Sequence, residues 1–181
     1  MDLTPLGLTV HVCRAVFFIF GVGQIIDHLA QGLGISQPTF SRLVRRDPRI
    51  RTIGAGPSTR YGLLTQDATP ADLPLYRLDA QGRAHRIAEL ARLESDHVVI
   101  TGLGRPLVVE DLPWFLGDRR PSGFLGRLIP RQNAGLDLPP DILRWSASHV
   151  LLYLARRGWD TTGDLVLGDI ALGHAMEAPE T

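Results

Sequence analysis

Lysine is absent from this chain: all 19 of its basic residues are arginine. Arginine's planar fork suits phosphate and guanine, but a whole chain without lysine reflects a GC-rich genome more readily than selection at one site, so no function follows from it. Cysteine is nearly absent too. Cys13 stands alone, which excludes an intramolecular disulfide framework and a cysteine-based metal site, and makes a reducing, cytoplasmic interior the expected compartment. Nor is there a long hydrophobic run. Residues 15–23, AVFFIFGVG, follow Arg14 much as the core of a signal peptide would, yet no small-residue cleavage site comes after them and they are far too short to span a bilayer. No membrane association is expected. What the 181 residues do have is an uneven placement of balanced charge. Residues 1–64 carry seven arginines and three acids, and residues 65–181 carry twelve and sixteen, so only the first part has the charge of a nucleic-acid partner.

That first part is organised around residues 23–46, GQIIDHLAQGLGISQPTFSRLVRR. Ile26, Leu29, Ala30 and Leu33 fall at i, i+3, i+4 and i+7, one apolar stripe of a helix. Gly34 supplies the left-handed conformation of a tight turn. Ser36 is placed as the N-cap of a second helix, and Pro38 lies in its first turn, where no intrahelical N–H is lost. In that helix Phe40, Leu43 and Val44 are expected to point inward, leaving Gln37, Thr39, Ser41, Arg42, Arg45 and Arg46 outside. The outer set has the chemistry of a groove reader, with Gln37, Thr39 and Arg42 nearest base edges and Ser36, Ser41, Arg45 and Arg46 toward phosphates. A solvated amphipathic helix pair is the alternative; the turn glycine, the cap serine and the basic exit favour a DNA-binding helix-turn-helix. A preceding helix over residues 9–20 would pack Val12, Val16 and Ile19 beneath the pair. After the basic helix, Ile50 to Ile53 and Thr59 to Leu64 flank a Gly/Pro break at 54–57, the pattern of a wing that would present Ser58, Thr59 and Arg60 near its tip.

Residues 65–74, TQDATPADLP, read as a linker, and the sign of the charge changes there. Beyond them, Leu75 to Leu78 and Ala84 to Ile87 around the Gly82 turn form a hairpin pattern. Further strands are expected at His97 to Ile100, Pro106 to Val109 and Leu165 to Leu167. Residues 141–157 read as one helix with Ile142, Val150, Leu151 and Leu154 inward. His85 and His97 have no third ligand at metal-site spacing and are read as hydrogen-bonded surface residues, so no metal is expected. Residues 111–131, DLPWFLGDRRPSGFLGRLIPR, alternate Trp114, Phe115, Phe124 and Leu125 with Asp118, Arg119, Arg120, Arg127 and Arg131. Such a stretch can stack bases or bind phosphate; more commonly its aromatics anchor a core while its aspartate and arginines tie a loop together.

Five segments, GISQPTFSRLVRR, STRYGL, PLYRLDAQGRAHRIAEL, LPWFLGDRRPSGFLGR and ARRGWDTTGDLVLGD, together resemble the N-terminal region of HipA-family serine/threonine kinase toxins of bacteria, in the branch with a winged helix fused in front of the kinase. The resemblance covers residues 23 to 170, and its long tryptophan-containing motif is the specific part. It implies an α+β chain: a winged helix-turn-helix at 1–65, a linker at 66–73 and a HipA N-terminal-lobe-like domain at 74–181. It also places the glycine-flanked strand Gly163 to Gly168 near the family's phosphate-binding loop. The family's catalytic and metal-binding aspartates find no match before Thr181, and GDLVLGD lacks the Lys-Ser/Thr of a P-loop. The expectation is therefore a DNA-binding regulatory part of a toxin–antitoxin kinase, with no enzyme activity of its own and no cofactor. Double-stranded DNA is the expected partner. Trp114, Phe115 and Phe124 are available to pack against a HipA-like kinase core chain or a second copy of this one. In the rival reading the chain is an interaction module that docks on and regulates a separate kinase chain.

Overall fold

The computed structural model describes residues 34–54, 59–66, 70–94, 96–161 and 163–177. The helix expected at 9–20, the first helix of the helix-turn-helix and Ser58 lie outside the described residues. The described chain falls into two compact units, one of residues 34–66 with 93–94 and one of residues 70–92 with 96–177. Among the described residues no helix is long and apolar enough to cross a membrane.

In the first unit, helix α1 (Gln37–Arg46) leads into an antiparallel hairpin of β1 (Ile50–Ile53) and β2 (Arg60–Leu63). Register runs from Ile50 opposite Leu63 to Ile53 opposite Arg60. The hairpin gains an element that composition does not signal. Leu93 and Glu94 return to this unit from far along the chain: Leu64 bridges Leu93, and the Glu94 N–H donates to the Leu63 carbonyl at 2.9 Å.

The second unit is built on a five-stranded sheet in which every neighbouring pair is antiparallel, ordered β6-β5-β4-β3-β7. Its strands are β3 (Asp72–Leu78), β4 (Ala84–Arg92), β5 (His97–Thr101), β6 (Leu107–Glu110) and β7 (Leu165–Leu167). The expected linker at 66–73 is therefore shorter than its composition implies, since β3 begins at Asp72 and Leu73 is buried. Pro74, which reads as a breaker, sits inside the strand. Its carbonyl faces β7 and accepts from the Gly168 N–H at 2.7 Å; a strand residue points N–H and C=O to the same side, so the missing N–H removes no rung from the β3–β4 ladder.

The β3–β4 turn is held by Asp79. Its carboxylate accepts from the backbone N–H groups of Gln81 and Arg83 and from the side chains of Arg83 and His85, each at 2.9 Å. The His85 contact first, and the Arg83 N–H next, bring the Asp79 pKa down to about 2.

One face of the sheet carries Leu73, Leu75, Ala88, Leu90, Val98 and Ile100, packed against Leu116, Ile142, Trp145 and helix α4 (Ala147–Arg157). Two one-turn helices, α2 (Gly123–Gly126) and α3 (Ile129–Gln132), precede it. The helix expected over 141–157 is interrupted: a 3-10 turn spans Ile142–Arg144, the chain extends at Trp145 and Ser146, and α4 starts afresh. Trp145 turns inward and its Nε1–H donates to the Pro139 carbonyl at 2.8 Å, while the Ser146 N–H donates to His149 Nδ1 at 3.1 Å to cap the new helix. The inward set Ile142, Val150, Leu151 and Leu154 is buried as the periodicity requires. A last helix, α5 (Asp169–Glu177), follows Gly168. Composition conceals it, because Gly168 and Gly173 both read as breakers.

Candidate nucleic-acid interface

Helix α1 starts where the capping pattern says it should. Gly34 has φ +64°, Ser36 is extended, and the Ser36 Oγ accepts from the Thr39 N–H at 3.4 Å. Phe40 and Val44 are buried, and so is Asp47 at the C-cap. Leu43, expected inward, is 38% exposed. At roughly 100° per residue it stands about 60° from Phe40 and about 100° from Val44, beyond the edge of the buried arc that Phe40, Val44 and Asp47 define. Arg42, Arg45 and Arg46 occupy the opposite side, all exposed, with Pro38 between them and Thr39 and Ser41 half-buried at its borders. Gln37 is exposed in the first turn.

Among the described residues Arg45, Arg46 and Arg60 form no ion pair, whereas Arg42 is folded back along the helix. Its Nε donates to the Pro38 carbonyl and its Nη2 to Thr39 Oγ1, both at 3.4 Å, and Thr39 Oγ1 lies 2.9 Å from Ser36 Oγ. Arg49 has a different role. Its Nε and Nη2 grip the buried Asp47 carboxylate at 2.9 and 2.6 Å, and its N–H adds a third contact at 3.0 Å. These hydrogen bonds from Arg49 hold the Asp47 carboxyl below the usual carboxylate range and fasten α1 to β1.

Arg60 is exposed opposite Ile53. Thr59, expected at or near the wing tip with its hydroxyl available, is only 8% exposed. It directly precedes the first paired residue of β2.

In the second distinctive stretch the expected loop ties form, but of its aromatics only Phe115 packs against the core. Arg119 and Arg120 are ties. Arg119 Nη1 donates to Thr161 Oγ1 at 2.8 Å and to the Leu165 carbonyl, linking the 3-10 turn Trp114–Arg119 to the lead-in of β7. Burial lowers the Arg119 pKa, against a smaller opposing pull from Asp164. Arg120 Nη1 donates to the Trp145 carbonyl at 2.8 Å, and its Nη2 to Asp111 Oδ1 at 2.6 Å. Phe115 is half-buried against the core and meets Trp114 edge-to-face, with ring centroids 5.4 Å apart. Of the three aromatics expected to pack against a partner, Phe115 is thus committed within its own unit, while Trp114 (84%) and Phe124 (78%) stay exposed.

His85 is bonded to Asp79, and His97 Nε2 lies 3.7 Å from Glu110 across β5 and β6. Among the described residues there is no group of three or more His, Cys, Asp or Glu able to hold a metal ion.

Residues 69–176 match the family model for the YjjJ-like toxin, middle domain. The chain is 37% identical over 160 residues to Toxin YjjJ of Escherichia coli (strain K12), an alignment that covers 83% of the chain and 36% of that relative. It therefore spans little over a third of the length of the curated relative it matches. No solved structure matches it. The matched residues take in the whole five-stranded sheet, the Arg119 and Arg120 ties and α4, and on that footing the chain belongs to the YjjJ-like toxin family, with residues 69–176 as its middle domain.

Proposed function

We propose that the first unit of this chain is the winged helix-turn-helix of a HipA-like toxin–antitoxin kinase, that it binds duplex DNA, and that it serves local transcriptional regulation in the cytoplasm. The observation that carries the reading is the exposed cationic side of α1, without ion pairs among the described residues and followed at once by an antiparallel hairpin. A helix fits the major groove of B-DNA, about 12 Å wide. Gln37 and Arg42 are then nearest the bases, and Arg45, Arg46 and Arg60 reach phosphates. Arg45 and Arg46 in the last turn would suit the helix dipole even without DNA; Arg42, a turn earlier, has no such explanation. A gel-shift titration with the gene's own upstream DNA tests the reading. A shift is expected at low salt, with affinity falling steeply as salt rises, by a slope of about 0.9 per phosphate contact. Absence of a shift at low salt would remove the DNA-binding reading.

A second reading, an interaction module for a separate HipA-like kinase chain or another copy of this one, is favoured by the exposure of Trp114, Phe124 and Leu125. Apolar docking would barely respond to the same change in salt, so one experiment separates the two. On either reading the chain alone carries no phosphoryl transfer. The GDLVLGD segment has no P-loop Lys-Ser/Thr. Magnesium-dependent transfer of label from ATP by the purified chain would overturn that.

A further inference from the structure

We infer that Arg42 reads a guanine, and that Thr39 does not touch a base but holds the Arg42 fork in position to do so; this rests on the DNA-binding reading above. Ser36, Thr39 and Arg42 are spaced at i, i+3 and i+6 and are joined in one chain of hydrogen bonds. The Thr39 hydroxyl accepts from Arg42 Nη2 and is hydrogen-bonded to Ser36 Oγ, so two of its three hydrogen-bonding positions are engaged along the helix. Arg42 Nε is engaged as well, by the Pro38 carbonyl. Two of the five guanidinium N–H groups are thus engaged along the helix, and on this exposed side chain Nη1 and the second Nη2 N–H make no hydrogen bond among the described residues.

The edge formed by Nη1 and Nη2 matches O6 and N7 of guanine, the bidentate pair that arginine makes most often in the major groove. A phosphate contact needs only a nearby charge, and the unheld Arg45 and Arg46 can supply it. A base edge needs a fixed plane. An exposed arginine without Thr39 would have to surrender its rotamer freedom on binding, at the expense of discrimination.

The test uses the whole chain and the gene's upstream duplex, with each guanine replaced in turn by 7-deazaguanine, which removes N7, or by inosine, which keeps the major-groove edge intact. For the wild type, 7-deazaguanine at one position should weaken binding by about fivefold or more, and inosine there should not. Arg42→Ala should abolish this difference. Thr39→Val keeps the β-branched shape without the hydroxyl; it should shrink the difference to about twofold or less while leaving the salt slope unchanged, and Thr39→Ser should restore it. Wild-type binding that ignores 7-deazaguanine everywhere overturns the guanine assignment. A Thr39→Val chain that keeps the full difference, or one that weakens on every duplex alike, overturns the positioning role. Failure of the wild type to bind at all condemns the DNA-binding reading itself, a different result from either.

Discussion

Gly168→Ala should destabilise the second unit by about 2–5 kcal/mol, and denaturant unfolding of the purified chain will show it as a lower midpoint with an unchanged slope. Gly168 has φ +82°, a conformation that costs an L-residue about 1–2 kcal/mol. A Cβ built there would lie 3.1 Å from the Ala155 Cβ, 3.2 Å from its carbonyl oxygen and 3.3 Å from its Cα. Two of those atoms are backbone of α4, so the helix would have to move, and overpacking of that kind costs about 1–3 kcal/mol. Gly173, five residues on and inside α5, has open space around it. Gly173→Ala should stabilise by about 0.5–1 kcal/mol, through helix propensity alone. Equal effects at the two sites would contradict the close approach of β7 and α4. Gly163, on the other side of β7, is also constrained: φ is +103°, and a Cβ would come within 2.8 Å of Arg119 Nη2. Gly168 is thus held by its close approach to Ala155 as well as by its φ, and Gly163 chiefly by its positive φ.

Asp47→Ala should destabilise the first unit by about 2–3 kcal/mol at neutral pH, because it leaves Arg49 without its two-pronged partner and removes a third hydrogen bond from a buried carboxylate. The Arg49 side chain is 35% exposed and can return partly to water, which keeps the loss below that of a fully buried pair. Arg49 lowers the Asp47 pKa in the folded state. The stabilisation is therefore fully present above the ordinary aspartate value of about 4 and is lost as pH falls through the lower folded value. Urea unfolding of wild type and variant at pH 7 and at pH 3 should give a wide gap at the first and a narrower one at the second. A gap that does not shrink in acid would mean that the carboxylate charge contributes nothing. Asp47 also sets the corner between α1 and the hairpin that carries Arg60, so under the proposed DNA-binding function the Asp47→Ala variant should bind DNA more weakly as well.

What could be read in the sequence is what neighbours in the chain decide among themselves. The Ser36 cap, Pro38 in the first turn, the Gly82 turn and the strand at Leu165 to Leu167 all depend on contacts a few residues apart, and each is found in place. The burial of Val150, Leu151 and Leu154 follows from helical spacing for the same reason. Trp145 shows where this stops. Its inward turn and its bond to Pro139 split what reads as one helix, because the core had a place for an indole there and local propensity could not know it.

The candidate site divides along the same line. That α1 has a cationic outer side was determined by residue order alone, as was its cap. Which arginines are free to use was decided by the tertiary structure. Arg49 went to Asp47, Arg119 to Thr161 and Leu165, and Arg120 to Trp145 and Asp111, while Arg45, Arg46 and Arg60 form no ion pair among the described residues. The same is true of the burial of Thr59, and of Leu93 and Glu94, which complete the edge of a unit that composition ends at residue 65. Tyr76 donates to Asp169 across 93 positions at 2.6 Å. A periodic pattern records only which face of an element is apolar, whereas the partner of a charged or polar side chain is set by which distant segments the packed core brings within about 3 Å of it.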